Sequence, residues 1–101
     1  MKEQLQEIHN YINGIFNYNI ETYKSYKNKV ENALSLIKSI PDSGNVMLTN
    51  WKMMGVEELQ KELNNRLSDS FIELSPEEQK SALKFSKMAV SIVLMNIIMH
   101  L

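Results

Sequence analysis

The 101-residue sequence contains no cysteine, which excludes disulfide bridges, thiol nucleophiles and cysteine-ligated metal sites. It has only three glycines and two prolines, and no stretch alternates between polar and apolar residues. Apolar residues instead recur at steps of three and four, the period of an amphipathic helix. The sequence therefore predicts a single all-α domain over residues 1–101, a three- or four-helix antiparallel bundle with a strongly apolar C-terminal helix.

The sequence also lacks an excess of either charge. Its 11 basic residues nearly balance its 12 acidic ones, and the formal net charge is −1. Nucleic-acid-binding domains are usually basic, so this balance argues against them. One pattern keeps the alternative open: Tyr23 and Tyr26 interleave with Lys24, Lys27 and Lys29. Aromatic side chains among lysines can bind nucleic acid. A small helical dimer that lines these lysines along one face is thus the alternative function.

The N-terminal stretch MKEQLQEIHNY lacks the apolar centre of a secretory signal, so we expect a cytoplasmic protein. Ten of the eleven basic residues are lysine, and asparagine is frequent. This composition is common in AT-rich genomes and indicates a bacterial or phage source.

Helical periodicity is predicted over three segments. The first covers residues 3–40, and its apolar positions slip within NGIFNYNI, so a break or kink is expected near 16–19 with Asn19 as a possible cap. Whether the segment is one helix or two is left open. PDSGN at 41–45 is a turn. Residues 46–55 are expected to form one helical turn or a loop that ends at Gly55.

The second and third helices are predicted at 56–71 and 76–100. Glu62 and Arg66 are four residues apart and are expected to pair on the exposed face of the second helix. The third helix opens on SPEEQ, in which Ser75 and Glu78 form the sequence pattern of a capping box around Pro76.

The chain ends in MAVSIVLMNIIMHL, in which only Ser91, Asn96 and His100 are polar. A transmembrane helix needs about 20 apolar residues, and these 14 fall short, so no membrane span is predicted. A helix that is apolar all round must be buried all round, and a small bundle has too few partners to cover it. We therefore expect a homodimer seam or a protein partner, with the interface residues Trp51, Met53, Met54, Val90, Leu94, Ile97, Ile98 and Leu101.

Catalytic and metal-binding patterns are not found in the sequence. His9 and His100 lie at opposite ends of the chain, and neither belongs to a zinc-binding motif. Glu57 and Glu58 are interpreted as the negatively charged first turn of a helix. The sequence predicts no catalytic residue, no cofactor and no metal, and hence no enzyme. The predicted function is that of a small protein-binding module, a bacterial or phage regulator of the inhibitor, immunity or anti-defence type.

Overall fold

A computed structural model describes all 101 residues and shows an all-helical bundle, as predicted. Each helix packs against the next one in the chain, and the last helix closes the ring by packing against the first. The elements are α1 (Lys2–Asn13), α2 (Ile20–Lys38), α3 (Val46–Asn64), a short 3₁₀ helix (Asp69–Glu73) and α4 (Pro76–His100). The 25 residues of α4 span about 37 Å of a bundle that measures 45 × 23 × 17 Å.

The interruption expected near 16–19 lies between α1 and α2. Helix α1 ends at Asn13, and α2 begins at Ile20. The Asn19 side chain accepts a hydrogen bond of 2.9 Å from the backbone N–H of Thr22, which satisfies an otherwise unpaired donor of the first turn. Two short antiparallel helices bury their apolar sides in one bundle, whereas one straight helix over 3–40 would extend beyond the domain.

Residues 46–55 form the first half of α3, and not the short turn or loop that the sequence led us to expect. The positive φ of Gly44, +77°, suits a glycine in the preceding turn. Asn45 then caps the helix by accepting a hydrogen bond of 3.1 Å from the N–H of Leu48. Gly55 lies inside α3 and does not end it.

The helix predicted at 56–71 also differs from the structure. It is the second half of α3, which ends at Asn64, and Phe71 belongs to the 3₁₀ helix that follows. Phe71 is fully buried, and its ring stacks on that of Tyr23 at a centroid distance of 3.9 Å. The periodicity placed Phe71 in the core correctly, although the chain reaches that position by a different local structure.

Helix α4 begins as the sequence predicts. The Ser75 hydroxyl accepts a hydrogen bond from the N–H of Glu78, and the Glu78 carboxylate accepts one from the N–H of Ser75, so the capping box is complete. The hydrogen bond from the Ser75 backbone N–H, together with the nearby Ser75 hydroxyl, stabilises the ionised form and lowers the pKa of the Glu78 carboxyl. Pro76 occupies the first turn, where its missing N–H leaves no bond unmade.

The core is built from leucine, isoleucine, valine, alanine and aromatic side chains and contains no methionine. All seven methionines are exposed instead, from 42% for Met1 to 68% for Met99. Methionine is flexible and polarisable, and it recurs on binding surfaces that adapt to a partner. The flexible methionine side chains are therefore all on the surface, where they can adapt to a partner, while less flexible side chains fill the core.

A polar cluster lies inside the bundle between α2, α3 and α4. The hydroxyls of Tyr26 and Ser86, both fully buried, are 2.9 Å apart and hydrogen-bonded. Glu62 pairs with Arg66 as expected, but the carboxylate is buried, with 1% of the side chain exposed, and is not on the surface. Its Oε1 atom has no hydrogen-bond partner. The buried polar groups of this cluster need hydrogen-bond partners, a requirement that a wholly apolar core would not impose on the packing of the helices.

The cluster predicts how stability changes at alkaline pH. Burial raises the pKa of the Tyr26 hydroxyl well above its usual value, and the nearby Glu62 carboxylate acts in the same direction. The unfolded chain releases this proton at about pH 10, and the folded chain does not. The stabilisation is therefore present below that pH and is lost as the pH rises above it. We expect the unfolding free energy of Tyr26→Phe, measured in urea from pH 7 to 11, to fall less steeply than that of the wild type.

The variant Ser86→Ala is the control for this prediction. It removes the same hydrogen bond and leaves the buried Tyr26 hydroxyl without a partner, at a cost of about 1–3 kcal/mol, but keeps the tyrosine, so it should retain the wild-type fall above pH 10. An equally steep fall in Tyr26→Phe would contradict the assignment to Tyr26.

Candidate protein-binding surface

The structure places half of the predicted interface residues inside the bundle. Val90, Leu94 and Ile97 are fully buried, and Ile98 is 8% exposed. These four side chains hold α4 against its own chain. Met53, Met54 and Leu101 are exposed, and Trp51 is half-buried.

The exposed apolar residues of α4 form one row along its outer face. We call this row the outer stripe, and it consists of Phe85, Met88, Ile92, Met95 and Met99. Each of the five side chains is between 46% and 68% exposed. The residues follow one another at steps of three, four, three and four, which is the heptad spacing by which one helix packs along another. The outer stripe is therefore a helix-packing surface without a partner in this chain.

The inner face of α4 has the same spacing. Leu83, Ser86, Val90, Val93 and Ile97 are buried at steps of three, four, three and four. Helix α4 thus carries two packing faces on opposite sides, and its own bundle covers one of them. This arrangement accounts for the all-round apolar character of MAVSIVLMNIIMHL.

A groove between α3 and α4 extends the outer stripe sideways. It has a volume of about 420 Å³ and is reached from the stripe through Ile92, and its other lining residues are Trp51, Met54, Glu57, Glu58, Ala89 and Val93. Five of the seven lining side chains are apolar, and the two carboxylates come from α3. The outer stripe, Trp51 and Met54 together are called the docking surface below.

Charge is distributed unevenly along the docking surface. Lys84 precedes Phe85 in the chain, and the Arg66 guanidinium lies 5.8 Å from the centre of the Phe85 ring. Residues 88–99 include no Asp, Glu, Lys or Arg. Arg66 is paired with Glu62, so Lys84 supplies the positive charge at the Phe85 end of α4, while the rest of the stripe is neutral.

The lysines considered for nucleic-acid binding contact groups of their own chain. The Lys27 ammonium is 3.6 Å from the Asp69 carboxylate and 5.8 Å from the centre of the Tyr23 ring. Lys29 lies over the ring of Tyr11 at 5.4 Å. These contacts give Lys27 and Lys29 structural partners within the bundle, and they weaken the case for a basic stripe at this position.

The two histidines have different neighbours and do not form a metal-binding or catalytic pair. His9 Nε2 is 3.2 Å from the Ser91 hydroxyl, and Asn13 contacts both residues, which links α1 to α4. His100 lies at the end of α4, where its carbonyl accepts a hydrogen bond of 3.4 Å from the Asn45 side chain. No group of three or more His, Asp or Glu residues is placed to hold a metal ion.

Helix α4 is also long and apolar enough, by length and composition alone, to cross a bilayer. In the bundle, 39% of its most apolar 18-residue stretch is buried against the other helices.

No protein family, curated protein or solved structure matches this chain.

Proposed function

We propose that this chain is a small protein-binding module that inhibits or sequesters a partner protein by covering part of its surface. The observation that carries the proposal is the outer stripe, five large apolar side chains at heptad spacing that no other part of the chain covers. The expected setting is the cytoplasm of a bacterium or of a phage-infected cell, as the composition of the sequence suggests.

The size of the surface supports this proposal. A fully exposed large apolar side chain presents about 200 Å², so the outer stripe exposes on the order of 600 Å². Soluble monomers rarely leave larger apolar patches in water, and such patches mark interaction sites. Trp51 and Met54 enlarge the surface further on the α3 side.

The chemistry of the surface supports binding by contact alone. The outer stripe contains three of the seven exposed methionines, and Met54 is a fourth. Flexible thioether side chains can adjust to the shape of a partner. The half-buried Trp51 in the groove resembles the aromatic anchors that contribute most of the binding energy at protein interfaces.

Adjacent methionines of α3 provide a matched test. Met54 is 52% exposed and lines the groove, whereas Met53 is 66% exposed and is not among the lining residues. Successive residues on a helix point about 100° apart. With the purified chain as bait in lysate of its host cells, we expect Met54→Glu to reduce the amount of captured partner at least about tenfold, because a carboxylate would be buried in an apolar contact. Quantitative mass spectrometry measures the captured protein.

Met53→Glu adds the same charge one position away and should capture the partner as the wild type does. Equal capture by both variants would show that the groove is not the binding site. Equal loss in both would indicate a charge effect that does not depend on the docking surface.

A further inference from the structure

We propose that the outer stripe docks in antiparallel orientation against the outer stripe of a second copy of this chain. This inference rests on the proposed function, since it names what covers the same docking surface when no other protein is bound. A different protein would then bind the docking surface by displacing the second copy. Self-association would in this way compete with partner binding and regulate it.

The spacing of the outer stripe favours another helix with the same spacing. Residues at steps of three and four interlock only with a helix that repeats the pattern, and a second α4 always offers it. The stripe covers two heptads and is about 21 Å long, so both copies match in length. The neighbouring positions Ala89, Ser91 and Asn96 are small or uncharged, which allows two helices to approach closely.

The charge distribution agrees with self-docking. Because residues 88–99 carry no charged side chain, a charged partner helix would bury its charges against an apolar face without compensation. A second copy presents the same neutral stripe over the same length. The outer stripe is therefore compatible with a second copy of itself in charge as well as in spacing.

The orientation follows from the positive end of the stripe. A parallel pair would bring the two Lys84 ammonium groups together at the Phe85 end, while Arg66 stays paired with Glu62 of its own copy. An antiparallel pair separates these groups by roughly the length of the stripe, about 21 Å, which exceeds the Debye length of about 8 Å at physiological salt. Antiparallel helix dipoles add a favourable term.

The area agrees with a specific dimer. A stable interface of standard size buries about 800 Å² on each partner. The outer stripe supplies on the order of 600 Å², and Met54 and Trp51 lie beside it along the same groove. The docking surface as a whole thus falls within the range of about 600–1,000 Å² per partner that standard interfaces bury, and the stripe alone lies at its lower limit.

The first test is the solution mass of the full chain across concentrations, with a matched pair of isoleucines. Ile92 at the centre of the stripe is 54% exposed, and Ile72 in the 3₁₀ helix is 53% exposed. We expect light scattering to show twice the chain mass of 11.7 kDa for the wild type and for Ile72→Glu. Ile92→Glu should raise the dimer dissociation constant about 100-fold or more, because the two carboxylates are buried near each other. Circular dichroism checks that both variants are folded.

The second test uses the absence of native cysteine, which makes introduced thiols unambiguous. Antiparallel docking over the full stripe places residue 85 of one copy opposite residue 99 of the other. A mixture of Phe85→Cys and Met99→Cys should therefore form the mixed disulfide, whereas Met99→Cys alone should stay uncrosslinked, because its two thiols would be about 21 Å apart along the helix axis. Efficient crosslinking of Met99→Cys with itself would indicate parallel docking and overturn the proposed orientation.

Three outcomes would overturn the second copy as the partner. One is a monomeric wild type at every concentration, and another is equal dissociation of Ile72→Glu and Ile92→Glu. The third is a monomer that binds vesicles of anionic lipid through Ile92, which would assign the stripe to a membrane surface. If the chain is monomeric but Met54→Glu still loses its captured partner, self-docking fails while the proposed function stands.

Discussion

Ile97→Asp is expected to unfold the protein, and not only to separate it from a partner. Ile97 is fully buried, and its Cδ1 atom lies where α4 comes nearest to Gly55 of α3. An unpaired carboxylate at such a position must either be ionised in an apolar interior or be held protonated, and both are costly. The expected loss is more than about 4 kcal/mol, a large part of the total stability of a domain of this size, about 5–15 kcal/mol.

Thermal unfolding followed by circular dichroism measures this effect. The control Ile97→Val removes one methylene group without adding a charge and should cost only about 0.5–1.5 kcal/mol. Ile92→Glu, on the opposite side of the same helix, should keep its helical signal. A folded Ile97→Asp with the wild-type melting temperature would mean that Ile97 is not a core residue and that the inner and outer faces of α4 are exchanged.

Much of the fold could be predicted from local signals in the sequence. The capping box at Ser75 and Glu78 marks the start of α4, and Asn19 marks the start of α2. Both signals depend on residues close together in the chain, so no knowledge of the tertiary structure is needed. The steps of three and four among apolar residues then establish an all-α protein.

The start of α3 could not be predicted in the same way. Gly55 is a poor helix former, and the sequence therefore predicts a helix stop at this position. In the structure its lack of a side chain lets α3 approach α4, and tertiary packing outweighs the local preference. For the same reason the predicted helix lacks the first half of α3 and has Glu57 and Glu58 in its first turn. In the structure both residues lie in the middle of α3.

The docking surface was only partly predictable, because both faces of α4 have the same spacing. The outer stripe is wholly apolar, whereas the inner row includes Ser86. Hydrophobicity alone would therefore place the wrong face in the core. Ser86 is buried because Tyr26 of α2 supplies its hydrogen-bond partner, and this pairing spans 60 residues of sequence. A usable signal was the residue type: three of five outer residues are methionine, while the apolar inner residues are leucine, valine and isoleucine.

Gly55→Leu should show that the approach of α3 to α4 also shapes the docking surface. A Cβ atom at Gly55 would lie 2.8 Å from Ile97 Cδ1 and 3.0 Å from Val93 Cγ1. A leucine cannot fit without moving the two helices apart, and overpacking of this kind costs about 1–3 kcal/mol, occasionally more. Urea unfolding measures the loss.

Gly55→Ala separates the two effects of the glycine. Alanine gains about 1 kcal/mol of helix propensity over glycine. Its Cβ would displace the movable Cδ1 of Ile97 and also press on Cγ1 of the stiffer, β-branched Val93, so the packing cost should offset the gain and leave a net effect near zero. Because Val93 also lines the groove with Trp51 and Met54, the shift caused by leucine should weaken partner capture even at temperatures where the variant is fully folded. If Gly55→Leu were as stable as the wild type and captured the partner equally well, the tight α3–α4 contact would have no part in positioning the groove.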